Sequence, residues 1–241
     1  MKILAIDSSG LVASAAIWEG DPREHGCILA LSSTDYKKTH SQTLLPMIDS
    51  ICKEISADAE DFGAVAVSAG PGSFTGLRIG SATAKAIAMA AGVPIIEVPT
   101  LSGLAYNLWG AGSLVCPMMD ARRNQVYTAL YGFEGGKLVT HIEGEAVAVE
   151  EMAERINSLG KEVIFLGDGA DAYKQMLEGL VKVPFGFAPA HLSRQNAASV
   201  AVLGSVMYAQ GITTDADDHS PTYLRVSQAE REGAKNFDLR K

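Results

Sequence analysis

The chain has 241 residues and a mass of 25.4 kDa, which allows one large domain or two small lobes. Hydrophobic residues make up 47% of it, enough to bury a core, so a mainly disordered chain is excluded. Acidic residues (28) outnumber basic residues (20), and the formal net charge of −8 disfavours unaided binding to a nucleic acid.

In the first half of the chain, the hydrophobic pattern predicts three opening strands and then alternating helices and strands. Short turns join the opening strands, which favours an antiparallel start, whereas each later helix leads to a parallel strand. The predicted order over residues 1–98 is therefore β-β-β-α-β-α-β. The predicted strands lie at 2–6, 12–18, 26–32, 61–69 and 95–98, and the helices at 40–56 and 75–91.

The second half repeats this pattern more loosely, with three strands followed by alternating helices and strands. The repetition indicates two related lobes, residues 1–98 and 99–210, and the last helix can pack back on the first lobe. Residues 211–241 form a predicted polar tail that is partly extended or mobile from residue 215 onward. The predicted strands lie at 114–119, 125–133, 137–149 and 162–166, and the helices at 100–109, 150–159, 170–180 and 196–210.

A glycine-rich stretch at residues 68–80 lies between a predicted strand and a predicted helix. Gly70, Gly72 and Gly76 let the backbone turn sharply, and free amides near Ser73 at the helix start can hold an anion. The stretch is neither a P-loop nor a GxGxxG motif, because no GK[ST] follows and the third glycine comes one place late. Two interpretations stand: a phosphate or interface loop, and a tight strand-to-helix connection.

The three cysteines, Cys27, Cys52 and Cys116, are widely spaced, and none belongs to a CxxC motif. This spacing predicts reduced thiols without a disulfide framework or a zinc knuckle. The apolar run at the N-terminus is too short for a signal peptide, and no uninterrupted apolar run reaches the ~20 residues of a membrane span. We therefore expect a cytoplasmic protein with no membrane partner.

Five segments resemble the TsaB family, which takes part in making the threonylcarbamoyl modification on the adenosine beside the tRNA anticodon. They follow the family's order across nearly the whole chain, and the glycine loop is the most specific of them. The resemblance implies an α/β, actin-like (ASKHA) fold of two ribonuclease-H-like lobes, with mixed sheets flanked by helices. The five segments are residues 3–9, 40–46, 69–80, 120–127 and 221–225.

The catalytic paralogue family, TsaD, carries two histidines four residues apart after the strand that follows the glycine-loop helix. The positions of this chain that align with them are Thr100 and Leu104, whose side chains cannot bind a divalent metal. The five histidines show no i,i+4 pair, no GxSxG motif is present, and no cysteine has a neighbouring histidine. We expect no metal and no catalytic residue, in spite of the older glycoprotease label of this group.

Asp7, Ser8 and Ser9 match the first phosphate loop of the actin-like fold, together with Gly70, Gly72 and Ser73 of the glycine loop. The alternative is a capped strand end, in which Asp and Ser side chains accept turn hydrogen bonds. The companion phosphate loop is not recognisable, and residues 167–169 are its nearest candidate. We expect no cofactor for the chain alone, and ATP or ADP with Mg²⁺ stays an alternative at a shared complex.

Asp120, Arg122 and Arg123 follow a predicted buried strand. Two guanidinium groups beside a carboxylate can form a fixed ion-pair corner. The alternatives are a hairpin turn with exposed arginines and a polar contact with a partner or with the tRNA backbone.

The predicted helix at 40–56 carries an apolar stripe that is wide for a helix lying on one sheet. An ordinary core-facing helix is the alternative, but the resemblance implies that this helix and the glycine-loop helix form a bundle across a dimer interface. We accordingly predict that Ile48→Glu breaks association and leaves the isolated fold intact. The predicted interface residues are Leu44, Leu45, Ile48, Ile51, Cys52, Ile55, Leu77, Ala84 and Ala88.

The sequence favours a non-catalytic scaffold that pairs with the metal-bearing TsaD paralogue. With a TsaE-type ATPase, this pair would support threonylcarbamoyl transfer to tRNA, which the chain reaches only through the complex. The alternative is an enzyme in its own right, either an actin-like ATPase or kinase or a peptidase. A homodimer through the same helix face is a third hypothesis.

Overall fold

The computed structural model describes residues 1–36 and 39–224, which form two five-stranded mixed sheets flanked by helices. The strands are β1 (Lys2–Asp7), β2 (Ala13–Gly20), β3 (Gly26–Thr34), β4 (Phe62–Gly70), β5 (Ile95–Pro99), β6 (Leu114–Asp120), β7 (Gln125–Glu134), β8 (Lys137–Ala148), β9 (Val163–Leu166) and β10 (Phe185–Phe187). The helices are α1 (His40–Glu54), α2 (Phe74–Ala91), α3 (Thr100–Ala105), α4 (Val149–Leu159), α5 (Asp168–Ala172), α6 (Lys174–Leu180) and α7 (Ala197–Ala209).

The two sheets share one topology. The first has the order β3-β2-β1-β4-β5 and the second the order β8-β7-β6-β9-β10. In each sheet the first three strands pair antiparallel, because short turns join them, and the last two are parallel, because helical crossovers precede them. The predicted actin-like fold of two ribonuclease-H-like lobes is confirmed.

The first sheet is covered on both faces. Helices α1 and α2 pack on one face, where Leu44, Ile48 and Ile51 join the core with Ala84 and Ala88. Helix α7, although it is the last helix among the described residues, packs on the opposite face against β1 and β2. The burial of both faces explains why β1 and β4 are continuous apolar runs rather than alternating ones.

Three details differ from the sequence prediction. The predicted helix at 170–180 is divided at Tyr173 into α5 and α6, and the predicted helix at 100–109 ends at Ala105 in a 3₁₀ turn. The short strand β10 was missed because three residues carry almost no periodic signal. Among the described residues, no helix has the length and apolarity required to cross a bilayer.

The segment from residue 212 to residue 224 is tied to the first lobe and is extended apart from a turn at residues 216–218. Thr214 and Ile95 exchange two backbone hydrogen bonds, and the Thr222 amide donates to the Ala69 carbonyl at 2.7 Å. His219 is buried, with one ring nitrogen 2.5 Å from Ser81 Oγ and the other 2.5 Å from Glu97 Oε1. Of the two alternatives predicted for the tail, extended or mobile, residues 215–224 thus take the extended one, and residues 225–241 lie outside the described part of the chain.

Candidate functional site

The carboxyl ends of β1 and β4 lie side by side and bring Asp7 next to the glycine loop. Asp7 is 1% exposed, and its Oδ1 accepts hydrogen bonds from the Ser9 amide (2.9 Å) and hydroxyl (2.7 Å). The Ser68 hydroxyl donates to Oδ2 at 2.7 Å. Burial raises the pKa of the Asp7 carboxyl, although these hydrogen bonds oppose the shift. Both oxygens of Asp7 thus bind the chain's own backbone and side chains.

The glycine loop packs directly on the turn after β1. The Ser73 amide donates to the Ser9 carbonyl at 2.7 Å, and the Ser8 hydroxyl donates to the Gly76 carbonyl at 2.9 Å. A Cβ atom at Gly72 would lie 2.4 Å from the Ser9 carbonyl oxygen, and one at Gly76 would lie 2.1 Å from that of Ser8. This close contact between the two loops requires glycine at both positions whether or not a ligand binds, in agreement with the interpretation as a tight strand-to-helix connection.

Some of the backbone amides that could hold a phosphate at this loop are engaged within the chain. A phosphate at a helix start takes free backbone amides, but the Gly70 amide donates to Thr100 Oγ1 at 3.0 Å and the Gly76 amide donates to Ser73 Oγ. The adjoining cavity of about 310 Å³ is lined by the carboxyl groups of Asp120 and Asp168 and by the cationic side chain of Arg122, so it offers an anion one cation beside two acidic groups. ATP or ADP with Mg²⁺ at a shared complex stays a prediction.

The two positions aligned with the paralogue's histidines have structural roles. Thr100 is fully buried and accepts the hydrogen bond from Gly70, and Leu104 belongs to a core cluster beneath the second sheet. Among residues 1–36 and 39–224, no group of three or more histidine, cysteine or carboxylate side chains has a geometry that can hold a metal ion.

The thiols are unsuited to nucleophilic catalysis where they are buried. Cys27, Cys52 and Cys116 are all free cysteines, and burial raises the pKa of the Cys116 thiol to about 12. Burial also raises the pKa of Cys52. Because the thiolate is the nucleophile, a thiol with a raised pKa is protonated and inert at neutral pH.

Asp120, Arg122 and Arg123 form the turn between β6 and β7 at the rim of the cleft between the lobes. Asp120 accepts hydrogen bonds from the Arg122 amide (2.8 Å) and from the hydroxyl of Tyr173 (3.1 Å). Tyr173 is a site residue that the sequence did not predict. Arg122, Arg123 and Asn124 adopt left-handed backbone conformations with φ of 67°, 57° and 56°. The Arg122 side chain is largely exposed and lies 3.5 Å from Asp120, so the turn combines a weak ion pair with exposed arginines.

Most of the predicted interface is buried inside the chain itself, and that part of the prediction is wrong. Side chains covered by their own sheet cannot contact a partner while the lobe stays folded. Of the nine residues, only Leu45 is exposed, at 59%, whereas Cys52 and Ile55 are half-buried. The six buried residues are Leu44, Ile48, Ile51, Leu77, Ala84 and Ala88.

Helices α1 and α2 still present apolar side chains to solvent, on a surface that we call the α1–α2 face. The Arg78 guanidinium lies 4.0 Å from the ring centre of Phe74, and the Tyr223 ring lies 5.0 Å from the same ring. These contacts fix the start of α2 beside the face. The α1–α2 face comprises the exposed residues Leu45, Phe74, Ala82, Ala86 and Met89.

Comparison with known proteins gives two kinds of similarity. A family model described as "TsaD: tRNA N6-adenosine threonylcarbamoyltransferase" matches residues 30–232. The Bacillus subtilis (strain 168) protein named "tRNA threonylcarbamoyladenosine biosynthesis protein TsaB" is 34% identical over 234 residues, covering 95% of this chain and 96% of the relative. The Escherichia coli (strain K12) protein of the same name is 31% identical over 231 residues, covering 93% and 95%.

Two solved structures from Pseudomonas aeruginosa share the fold. One, described as an uncharacterized protein with similarity to peptidase YEAZ, has a TM-score of 0.79 and 25% identity, covering 93% of this chain and 99% of that one. The other, described as YeaZ, has a TM-score of 0.77 and 24% identity, covering 92% and 99%. The similarity extends over both lobes in each case.

Proposed function

This chain belongs to the TsaB family of tRNA threonylcarbamoyladenosine biosynthesis proteins, and from that premise we propose that it is a non-catalytic subunit. It pairs with a TsaD-family enzyme and supports threonylcarbamoyl transfer to the adenosine next to the tRNA anticodon. A TsaE-type ATPase completes the assembly.

The observation that carries this proposal is the structural use of Thr100 and Leu104. The Thr100 hydroxyl accepts a hydrogen bond from the Gly70 amide, and the Leu104 side chain packs in the core of the second lobe. These are the two positions that align with the paralogue's histidines. A chain without this histidine pair depends on a partner for the metal. The metal-bearing site therefore belongs to the TsaD-family subunit.

The surface of the chain supports a role within a complex. The α1–α2 face offers exposed apolar side chains for a protein partner, which is the kind of surface that marks association sites. The formal net charge of −8 works against independent contact with the tRNA phosphates, so the complex supplies the basic surface. A homodimer formed through the same face is the alternative to a complex with a TsaD-family enzyme.

The stand-alone ATPase, kinase or peptidase alternative has weaker support. The Asp7 carboxylate and the amides of Gly70, Ser73 and Gly76 are all engaged within the chain, so these groups are not free to hold a nucleotide phosphate.

Reconstitution of the modification reaction tests the proposal. The full chain, a TsaD-family enzyme, a TsaE-type ATPase, a threonylcarbamoyl donor and tRNA are combined, and each protein is omitted in turn. We expect modified adenosine, measured by mass spectrometry of digested tRNA, only when this chain and the TsaD-family enzyme are both present. Product from this chain alone, or undiminished product without it, would contradict the proposed role.

A further inference from the structure

The solvent-facing side of α2 carries a single charged residue in an otherwise apolar row. Residues three or four positions apart lie along one side of a helix. The exposed residues spaced in this way along α2 are Phe74, Arg78, Ala82, Ala86 and Met89. Arg78 therefore lies within the surface that the α1–α2 face covers, one turn from Phe74 on one side and one turn from Ala82 on the other.

Two aromatic residues hold the Arg78 guanidinium in place. Its central carbon lies 4.0 Å from the ring centre of Phe74, and its Nε donates a hydrogen bond to the Tyr223 hydroxyl at 3.3 Å. Tyr223 belongs to the segment at 212–224, which the buried ring of His219 fixes to the first lobe. Because the guanidinium is already held, it loses little conformational entropy when a partner binds it. Arginine and tyrosine are also the residue types that dominate the binding energy of protein interfaces.

The charge of Arg78 is not balanced by any residue that the structure describes. None of the ion pairs within residues 1–36 and 39–224 includes Arg78, and its Nη1 and Nη2 donate no hydrogen bond to a described residue. The guanidinium lies over Phe74, the first residue of α2, and the first turn of this helix has no acidic residue. A cation beside the positive end of a helix dipole is unfavourable, so an anion from outside the chain would offset both charges.

We propose that Arg78 is the polar anchor of the α1–α2 face and binds a carboxylate side chain of the TsaD-family subunit. Its Nη1 and Nη2 form the fork that matches two carboxylate oxygens, and the apolar residues around it exclude water from the pair. The phosphates of tRNA fit the charge but offer nothing to the apolar row, so the assignment is to a protein surface. This inference rests on the proposed function, because it names a contact residue of the same partner surface.

Calorimetric titration of a TsaD-family enzyme with the full-length Arg78→Gln variant tests the proposal. We expect the Kd of the complex to rise about tenfold or more, because the partner's carboxylate is left without its cation. Between about 0.1 M and about 1 M salt, the Kd of the variant should also change less than that of the native chain. The matched control is Arg23→Gln in the turn between β2 and β3, which removes the same charge from an exposed arginine and should leave the Kd unchanged.

Circular dichroism establishes that each variant is folded, and Arg78→Lys is the second variant if Arg78→Gln is not. Lysine keeps the charge without the fork, so this variant is expected to bind more weakly than the native chain and to keep its salt dependence. A folded Arg78→Gln protein with the native Kd, or with the native salt dependence, overturns the proposal and leaves the proposed function standing.

Two further outcomes contradict the proposal in different ways. If the native chain forms no complex, the proposed function itself fails, and the contact made by Arg78 fails with it. If Arg78→Gln leaves the protein–protein Kd unchanged and weakens the binding of tRNA to the assembled complex, the guanidinium contacts a phosphate rather than a carboxylate of the partner.

Discussion

Ile48→Glu is expected to unfold the isolated chain. Ile48 is 5% exposed and packs with the strands of the first lobe, so glutamate there would bury a carboxylate without a partner and remove apolar contacts. We expect a loss of about 4 kcal/mol or more, a large fraction of the roughly 5–15 kcal/mol that stabilises a typical domain. Circular dichroism and chemical denaturation of the isolated protein measure this loss.

Leu45→Glu is the matched control, since it makes the same kind of change one turn earlier on the same helix, at a side chain that is 59% exposed. Its free energy of unfolding is expected to change by no more than about 0.5 kcal/mol. An Ile48→Glu protein as stable as Leu45→Glu would show that Ile48 faces solvent, and it would restore the interface predicted from the sequence.

Gly76→Ala is expected to have a comparably large effect, through the contact between the two loops. The added Cβ atom would lie 2.1 Å from the carbonyl oxygen of Ser8, which is backbone at the end of a buried strand and cannot move aside cheaply. Separation of the loops would also break the hydrogen bond from the Ser8 hydroxyl to the Gly76 carbonyl. We expect a loss of about 3 kcal/mol or more, measured as a fall in Tm and in the denaturation midpoint.

Gly179→Ala in α6 is the control for this substitution. No atom lies within 4 Å of a Cβ built at Gly179, and the residue is helical, so alanine is expected to be neutral or to stabilise by up to about 1 kcal/mol. Equal Tm values for the two alanine variants would show that the glycine loop does not depend on its contact with Ser8.

The order of elements was predictable because the two lobes obey simple connection rules. Three strands with short turns pair antiparallel, and a strand reached through α1 or α2 joins in parallel, so hydrophobic periodicity predicted the strands of both sheets except β10. The same periodicity could not assign the faces of α1. Leu44, Ile48 and Ile51 follow one helical face while Leu45 and Cys52 flank it, and a wide stripe does not say which part meets the sheet.

The loops of the candidate site were predictable from their glycine, serine and aspartate residues, but the residues that contact these loops come from distant parts of the chain. Asp7 and the glycines are recognisable as a turn, whereas Ser68, 61 residues away, supplies the hydrogen bond to Asp7 Oδ2. Gln195 gave no signal because nothing in its neighbours predicts that its amide is buried against Gly10. Contacts of this kind depend on how the lobes pack, which local patterns do not encode.

Light scattering of this chain mixed with a TsaD-family enzyme tests most directly whether the α1–α2 face binds the partner. We predict a 1:1 complex for the native chain and for Leu159→Glu, which changes an exposed leucine at the end of α4 in the second lobe. Leu45→Glu should remain folded by circular dichroism and lose the complex. A complex that survives Leu45→Glu unchanged, or no complex with the native chain, would contradict the account.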